Sequence, residues 1–184
     1  LDLAHAAALV ARLVPARWRL TPEVVARGLQ TVSWPGRWQR IRIGDTPVIL
    51  DATHNPEGAE QLDSSLARLV ADTGRAPVVV TGATGERRAR AVLAAAAKHA
   101  REINLVVPQQ DRAMSHEVLE RCVPADYRGA VRRTSLAEIF PQPDRCAIGA
   151  PGETVVVTGS IYLLGEVIER LNPRQPVESR LQDW

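Results

Sequence analysis

The sequence predicts an α/β fold: a three-layer, Rossmann-like domain with a mostly parallel sheet of about six strands, preceded by a short helical segment. Three observations carry this. Short apolar runs at 78–81 (VVVT), 103–107 (INLVV) and 154–158 (TVVVT) have the length and β-branched content of strands buried on both faces. Longer stretches with helical spacing of apolar residues, 56–72 and 86–100, alternate with those runs. Residues 38–43 (WQRIRI) alternate apolar and polar. They lead through Gly44-Asp45 into 47–50 (PVIL), the pattern of a hairpin.

Taken in order, residues 2–14 read as a helix, with Leu3, Ala6, Ala7, Val10, Leu13 and Val14 on one face and Pro15 ending it. Thr21-Pro22-Glu23 is a helix start: an N-cap hydroxyl, proline at the first helical position and an acid in the first turn. That helix runs to about Gln30. Ser33-Trp34-Pro35-Gly36-Arg37 breaks all regularity, so a boundary is placed there, between a helical segment with linker (1–33) and an α/β domain (34–171). Within the domain, further helices are expected at 115–121 and 135–140, a short strand at 130–133, and a last helix at 161–171. The polar, proline-containing tail 172–184 reads as a loose extension.

Composition narrows the function classes. The chain has 184 residues, enough for one good core. Its 23 basic and 21 acidic side chains leave a formal charge of only +2, which gives no electrostatic case for nucleic acid. Cys122 and Cys146 show neither metal nor redox spacing, which points to a reducing compartment and to the cytoplasm. No apolar run approaches the roughly 20 residues of a membrane span, and no signal peptide opens the sequence. Leu1 is not methionine, so the chain reads as an excised piece of a longer protein. There is no Gly-x-x-x-x-Gly-Lys-[Ser/Thr] phosphate loop, zinc-ligand cluster or Gly-x-Ser-x-Gly elbow.

In parallel α/β folds ligands sit at the carboxyl ends of the strands. Three such ends carry unusual residues. Asp51-Ala52-Thr53-His54-Asn55-Pro56 follows a buried strand and opens a helix. Capping explains Asn55 and Pro56 but neither Asp51 nor His54. A carboxylate at a buried strand end is costly without a partner; it can grip the vicinal hydroxyls of a ribose. A histidine beside a helix N-terminus can donate to an anion, as can the free backbone N–H groups. Thr158-Gly159-Ser160-Ile161-Tyr162 reads as a glycine turn with Ser160 capping the last helix, which leaves Tyr162 over. Thr81-Gly82-Ala83-Thr84-Gly85-Glu86 reads as a turn at the ligand edge and lacks the dinucleotide fingerprint. Upstream, Trp34-Pro35-Gly36-Arg37 is a turn. Arg37 on it could clamp a phosphate or ribose, since the guanidinium fork suits bidentate contacts.

Pro35-Gly36-Arg37, then Asp51-x-x-His54-Asn55-Pro56, then Gly159-Ser160-Ile161-Tyr162-Leu163-x-Gly165-Glu166 occur in a fixed order. That order resembles the C-terminal domain of the Mur ligase superfamily. The first and last motifs resemble its folate branch, folylpolyglutamate synthase/dihydrofolate synthase. The resemblance runs from about residue 20 to residue 171, with residues 1–31 similar to the last helices of the family's central ATPase domain.

The resemblance implies a whole enzyme that activates a carboxylate with ATP and magnesium as an acyl phosphate, which the amine of glutamate then attacks to form an amide. The phosphate loop, the magnesium ligands and most of the folate site would lie in an N-terminal ATPase domain, the partner of this chain. Arg37 and Asp51 would hold the nucleotide, with Asn55 lining the same cleft. His54, Ser160 and Tyr162 would hold glutamate or orient its amine, with His54 and Asp51 as the catalytic pair. A monomer is expected, with no nucleic-acid or membrane partner, and an isolated chain that catalyses nothing. Two departures stand out. The family's Asp-Gly-Ala-His-Asn-Pro is Asp-Ala-Thr-His-Asn-Pro here. Its frequent Asp-Lys-Asp after the middle strand is replaced by Gly85-Glu86-Arg87, so that Arg87 or Arg88 would supply the positive charge. Two other readings remain: another Mur-type amino-acid ligase, and a non-catalytic α/β binding module.

Overall fold

The computed structural model describes residues 8–10, 12–15, 20–31 and 34–172. The rest of the expected first helix and all of the expected tail beyond Asn172 lie outside the described residues. The chain divides into two compact units between Pro35 and Gly36. In the first, residues 8–10 and 12–13 are helical, and helix α1 spans Pro22–Thr31. Its start is where the Thr-Pro-Glu signal puts it, with Glu23 in the first turn.

The second unit holds a six-stranded sheet: β1 (Gln39–Ile43), β2 (Thr46–Leu50), β3 (Val78–Thr81), β4 (Glu102–Leu105), β5 (Ala130–Arg133) and β6 (Val155–Thr158). Their order is β1-β2-β6-β3-β4-β5, so the last strand made in sequence lies in the middle. β1 and β2 form the expected antiparallel hairpin, and all other pairings are parallel. The three central strands read as continuous apolar runs because a parallel sheet buries both faces. Val78–Val80 and Val155–Val157 are fully buried.

Five helices follow the strands: α2 (Pro56–Thr73), α3 (Glu86–Ala97), α4 (His116–Cys122), α5 (Leu136–Ile139) and α6 (Ile161–Leu171). The side chains of α2, α3 and α4 pack with Ile49, Val79, Ile103, Leu105 and Val156 in one core. Those of α5 and α6 pack with Val48, Leu50, Val80 and Val157 in the other. Alternation along each strand sends neighbouring residues to opposite layers, so Val155 and Val157 lie in the second core and Val156 in the first.

Most boundaries fall within two residues of the sequence expectation. Helix α3 ends at Ala97, three residues short of the expected limit. There Lys98 and His99 form a turn whose side chains both bond to Asp63 of α2, closing the α2–α3 pair. Strand β4 stops at Leu105, two residues before the end of the apolar run. Val106 still donates to the Thr81 carbonyl at 2.9 Å, but Pro108, with no N–H, follows.

Candidate functional site

The carboxyl ends of β2 and β6 lie side by side, with Leu50 opposite Val157. The loops leaving them carry the two richest motifs in the sequence, and a backbone bond from the Gly159 N–H to the Thr53 carbonyl, 2.9 Å, joins those loops. Gly159 has φ +101 and lies so close to β3 that a Cβ there would fall 2.3 Å from the Thr81 hydroxyl and 2.8 Å from the Gly82 carbonyl. Only glycine fits that turn.

Asp51 is 8 % exposed. One carboxylate oxygen accepts from the Thr53 N–H at 3.1 Å, and the other accepts from the Trp38 N–H at 3.2 Å. The Ala52 N–H donates to the Gly36 carbonyl at 2.6 Å. Thus the turn after Pro35 is fastened across the end of β2, and the first and second motifs become one structure. The fastening depends on backbone shape: Gly36 has φ 73 and Trp38, unusually for a non-glycine residue, has φ 50. Arg37 is exposed between them.

His54 follows in the same loop, partly buried. Its Nδ1 lies 2.8 Å from the Ala52 carbonyl. A carbonyl can only accept, so Nδ1 carries the proton there, and in the neutral ring Nε2 is left with its lone pair. Asn55 caps α2, its Oδ1 accepting from the Gly58 N–H at 2.8 Å, with Pro56 at the first helical position. The capping explanation of Asn55 and Pro56 therefore accounts for that oxygen, and the side-chain NH₂ remains as a donor.

Ser160 caps α6. Its hydroxyl oxygen accepts from the N–H groups of Tyr162, 3.2 Å, and Leu163, 3.5 Å, and the residue is 3 % exposed. Its own O–H remains able to donate. Tyr162 is 42 % exposed at the start of the helix, beside the exposed Ile161. Beyond β3, the segment that opens α3 lines a cavity of about 380 Å³ together with Asn55, Pro56 and Glu57. Thr84, Gly85, Glu86, Arg87 and Arg88 form its other side. Glu86 is engaged by Arg90 at 2.6 Å. The N-cap of α3 is Gly85, which offers no side-chain oxygen to the first turn.

The structure thus brings Asp51, His54, Asn55 and Ser160 to one edge, with the Gly36–Trp38 turn fastened to it. Sequence reasoning missed Trp38 and Thr53. Thr53 supplies the bridge to Gly159, and both residues supply the N–H groups that hold Asp51. No side-chain signal marks either, because each acts through its backbone. Among the described residues no group of three or more His, Cys, Asp or Glu side chains could hold a metal ion, and no helix is long and apolar enough to cross a membrane.

The family model described as "Mur ligase, glutamate ligase domain" matches residues 36–161. A folylpolyglutamate synthase of Lacticaseibacillus casei is 27 % identical over 157 residues, which is 84 % of this chain and 33 % of that protein. A UDP-N-acetylmuramoyl-L-alanyl-D-glutamate–2,6-diaminopimelate ligase of Corynebacterium efficiens is 29 % identical over 178 residues, covering 88 % and 32 % respectively. A solved bifunctional folylpolyglutamate synthase/dihydrofolate synthase of Yersinia pestis, complexed with AMPPNP and Mn, aligns with a TM-score of 0.63 and 25 % identity over 86 % of this chain and 35 % of that one. The chain therefore spans about a third of the length of each of these three relatives.

Proposed function

The chain belongs to the Mur ligase glutamate ligase domain family, and from that premise we propose that it is the C-terminal domain of an ATP-dependent ligase that adds glutamate to folate or dihydropteroate. In this reading residues 1–33 are the helical end of the ATPase domain and its linker, 34–171 the domain proper and 172–184 a tail. The protein is cytoplasmic and monomeric. One observation supports the reading above others: the turn at Gly36–Trp38, the Asp51–Asn55 loop and the Gly159–Ser160 turn are hydrogen-bonded into a single edge.

Bound ATP supplies the phosphoryl group that activates the substrate carboxylate. Asp51 and Arg37 are the nucleotide contacts on this side. An ionised carboxylate offers about four lone-pair sites, and the Trp38 and Thr53 N–H groups engage one site on each oxygen. Sites therefore remain for ribose hydroxyls, and Asn55 adds its NH₂ from the same loop. Among the described residues no carboxylate cluster suits magnesium, so in this reading its ligands lie in the ATPase domain. His54, held by its Nδ1–H, presents Nε2 as an acceptor; that suits an incoming amine N–H and orients its lone pair toward the carbonyl it attacks. Ser160 contributes its O–H and the shape of the turn, and Tyr162 a phenol at the rim. Arg87 and Arg88, at the cavity beside Asn55, supply the positive charge that a lysine gives elsewhere in the family.

The likeness to the diaminopimelate ligase favours a second reading, in which the acceptor is a cell-wall precursor. The Gly159–Glu166 motif favours the folate branch. The deciding experiment gives the complete polypeptide ATP and magnesium, glutamate or diaminopimelate as the amine, and dihydropteroate, tetrahydrofolate or a muramoyl dipeptide as the acceptor, and follows amide formation by mass spectrometry. Glutamate transfer only to the folate-type acceptors supports the proposal; transfer of diaminopimelate to the muramoyl acceptor overturns it. A P-loop domain in the preceding coding sequence excludes a stand-alone binding module.

A further inference from the structure

Glu166 closes the last sequence motif, on the helix that Ser160 caps, yet the ligase reading gives it no task. It is half-buried, and one of its carboxylate oxygens accepts from the Gln109 N–H at 2.7 Å. Gln109 belongs to the loop 107–114 that joins β4 to α4. This bond therefore ties α6 to a segment far from it in sequence.

The loop is folded on itself. The Gln110 N–H donates to the Pro108 carbonyl at 2.8 Å, and the Ala113 N–H to the Gln110 carbonyl at 2.8 Å. The Arg112 N–H donates to the Gln110 Oε1 at 3.1 Å. So bonded, the loop shifts as a unit, and among the described residues two hydrogen bonds join it to the rest of the domain. On the outgoing limb it is the bond from Gln109 to Glu166. On the return limb the Met114 N–H donates to the Ala83 carbonyl at 3.0 Å, and both residues are buried in one core. The outgoing limb also lies against the loop after β3: a Cβ on Gly82 would fall 2.3 Å from the Val106 carbonyl and 3.0 Å from the Pro108 ring. Gly82 and Ala83 lead directly into Thr84–Arg88, the side of the 380 Å³ cavity that faces Asn55, Pro56 and Glu57. Glu166 does not line that cavity; it reaches it through two loops.

We propose that Glu166 is a positioning residue: its carboxylate latches loop 107–114 to α6, and the loop in turn sets where the start of α3, with Arg87 and Arg88, stands across from Asn55. The inference rests on the proposed ligase reading for the occupant of the cavity, a carboxylate of the incoming glutamate. A carboxylate suits the latch, because its charge strengthens a bond from a backbone N–H. An amide in its place keeps an acceptor oxygen; a hydrocarbon chain of the same length does not.

The test compares Glu166→Gln with Glu166→Met in the complete polypeptide; E166A is the second variant without an acceptor, used if E166M fails to fold. Hydrogen exchange is followed by mass spectrometry. Removing one hydrogen bond to a charged group shifts a local opening equilibrium by roughly tenfold or more. E166M should therefore speed exchange about tenfold in peptides covering 107–114 and 82–88, and leave those covering β3 and β6 at the wild-type rate. E166Q should stay within about threefold of wild type. In steady-state assays E166M should raise the KM for glutamate about threefold or more, as expected when binding alone is lost. The KM for ATP and kcat should stay near wild type, since Arg37 and Asp51 stand at the other end of the edge, and E166Q should restore the glutamate KM. Faster exchange confined to 107–114 would overturn the proposal, as would a loss in E166Q equal to that in E166M, or equal rises in the two KM values. The exchange comparison decides the latch even if the wild type transfers no glutamate, a result that would fault the ligase reading alone.

Discussion

Replacing Asp51 by asparagine separates the two tasks assigned to this carboxylate. If Asp51 only waits for a ribose, the change should leave the fold untouched. The structure says otherwise, because its oxygens already accept from Trp38 and Thr53. Asparagine offers one oxygen, so its NH₂ must face the second N–H. A hydrogen bond to a charged group contributes about 1.5–3 kcal/mol, and a buried donor left unpaired costs about 1–3 kcal/mol. These overlap, and removing a desolvated charge returns part of the loss, so the net expectation is about 2–4 kcal/mol. For a chain of this size each kcal/mol moves the midpoint by roughly 2–4 °C, giving a fall of roughly 4–16 °C. Paired urea titrations of wild type and D51N, read by far-UV circular dichroism and by tryptophan fluorescence that includes Trp38, measure the free-energy loss, and thermal scans of the same pair measure the fall in midpoint. A loss below about 0.5 kcal/mol, the range of surface substitutions, would show that the carboxylate does not hold the turn.

Four further outcomes are expected. His54→Ala in the complete enzyme should lose about 1 kcal/mol of stability with the Ala52 bond, but about 2–4 kcal/mol of barrier stabilisation, roughly a hundred- to thousand-fold in turnover. A fall confined to thermal stability would make the residue structural. Gly159→Ala should destabilise by several kcal/mol, since both φ and the 2.3 Å approach to Thr81 oppose it; backbone strain alone is worth about 1–3 kcal/mol, and an unchanged urea midpoint would contradict it. The isolated chain given ATP, magnesium, glutamate and a folate should release no phosphate above background. Titration should be visible at both ends of the pH scale. Glu153, lowered chiefly by its bond to Arg101, and Asp63, lowered by Lys98 and His99, stabilise above their ordinary values, and that stability is lost as pH falls through the lower folded values. The Tyr127 phenol is pushed up to about 12 by burial, so its contribution is intact below pH 10 and lost as pH rises to 12. Tyr127→Phe should flatten the alkaline limb of a melting-temperature profile and leave the acid limb alone.

Where local chemistry decides, the sequence was readable. The valine runs at 78–81 and 155–158, the strand at 130–133 and the helix at 161–171 need only β-branched composition or apolar spacing, and they lie where expected. Thr21-Pro22-Glu23 opens α1 as its capping pattern requires. What could not be read depends on partners distant in sequence. Val78–Thr81 and Val155–Thr158 have identical residues, VVVT, so nothing local says that β6 lies between β2 and β3. The Trp38 N–H on Asp51 lies thirteen positions away and exists because Trp38 adopts a positive φ, which tryptophan does not advertise. Ser160 carries a capping signal and a family signal at once; the structure displays the cap and leaves the second role to experiment.

The central place of β6 has a consequence for synthesis. A ribosome delivers β2 and β3 well before the strand that belongs between them, so the nascent chain holds two separated sheet halves, each with an open parallel edge. Closing that gap requires a long-range pairing, which carries a loop-closure cost before any contact rewards it. The same closure brings the Gly159 N–H onto the Thr53 carbonyl. Completion of the sheet and assembly of the cleft are therefore one event. A polypeptide terminated before residue 155 would not be a weakened version of this domain; it would lack the middle of its sheet and one wall of its cleft together, and the cell would meet it as a substrate for chaperones and proteases.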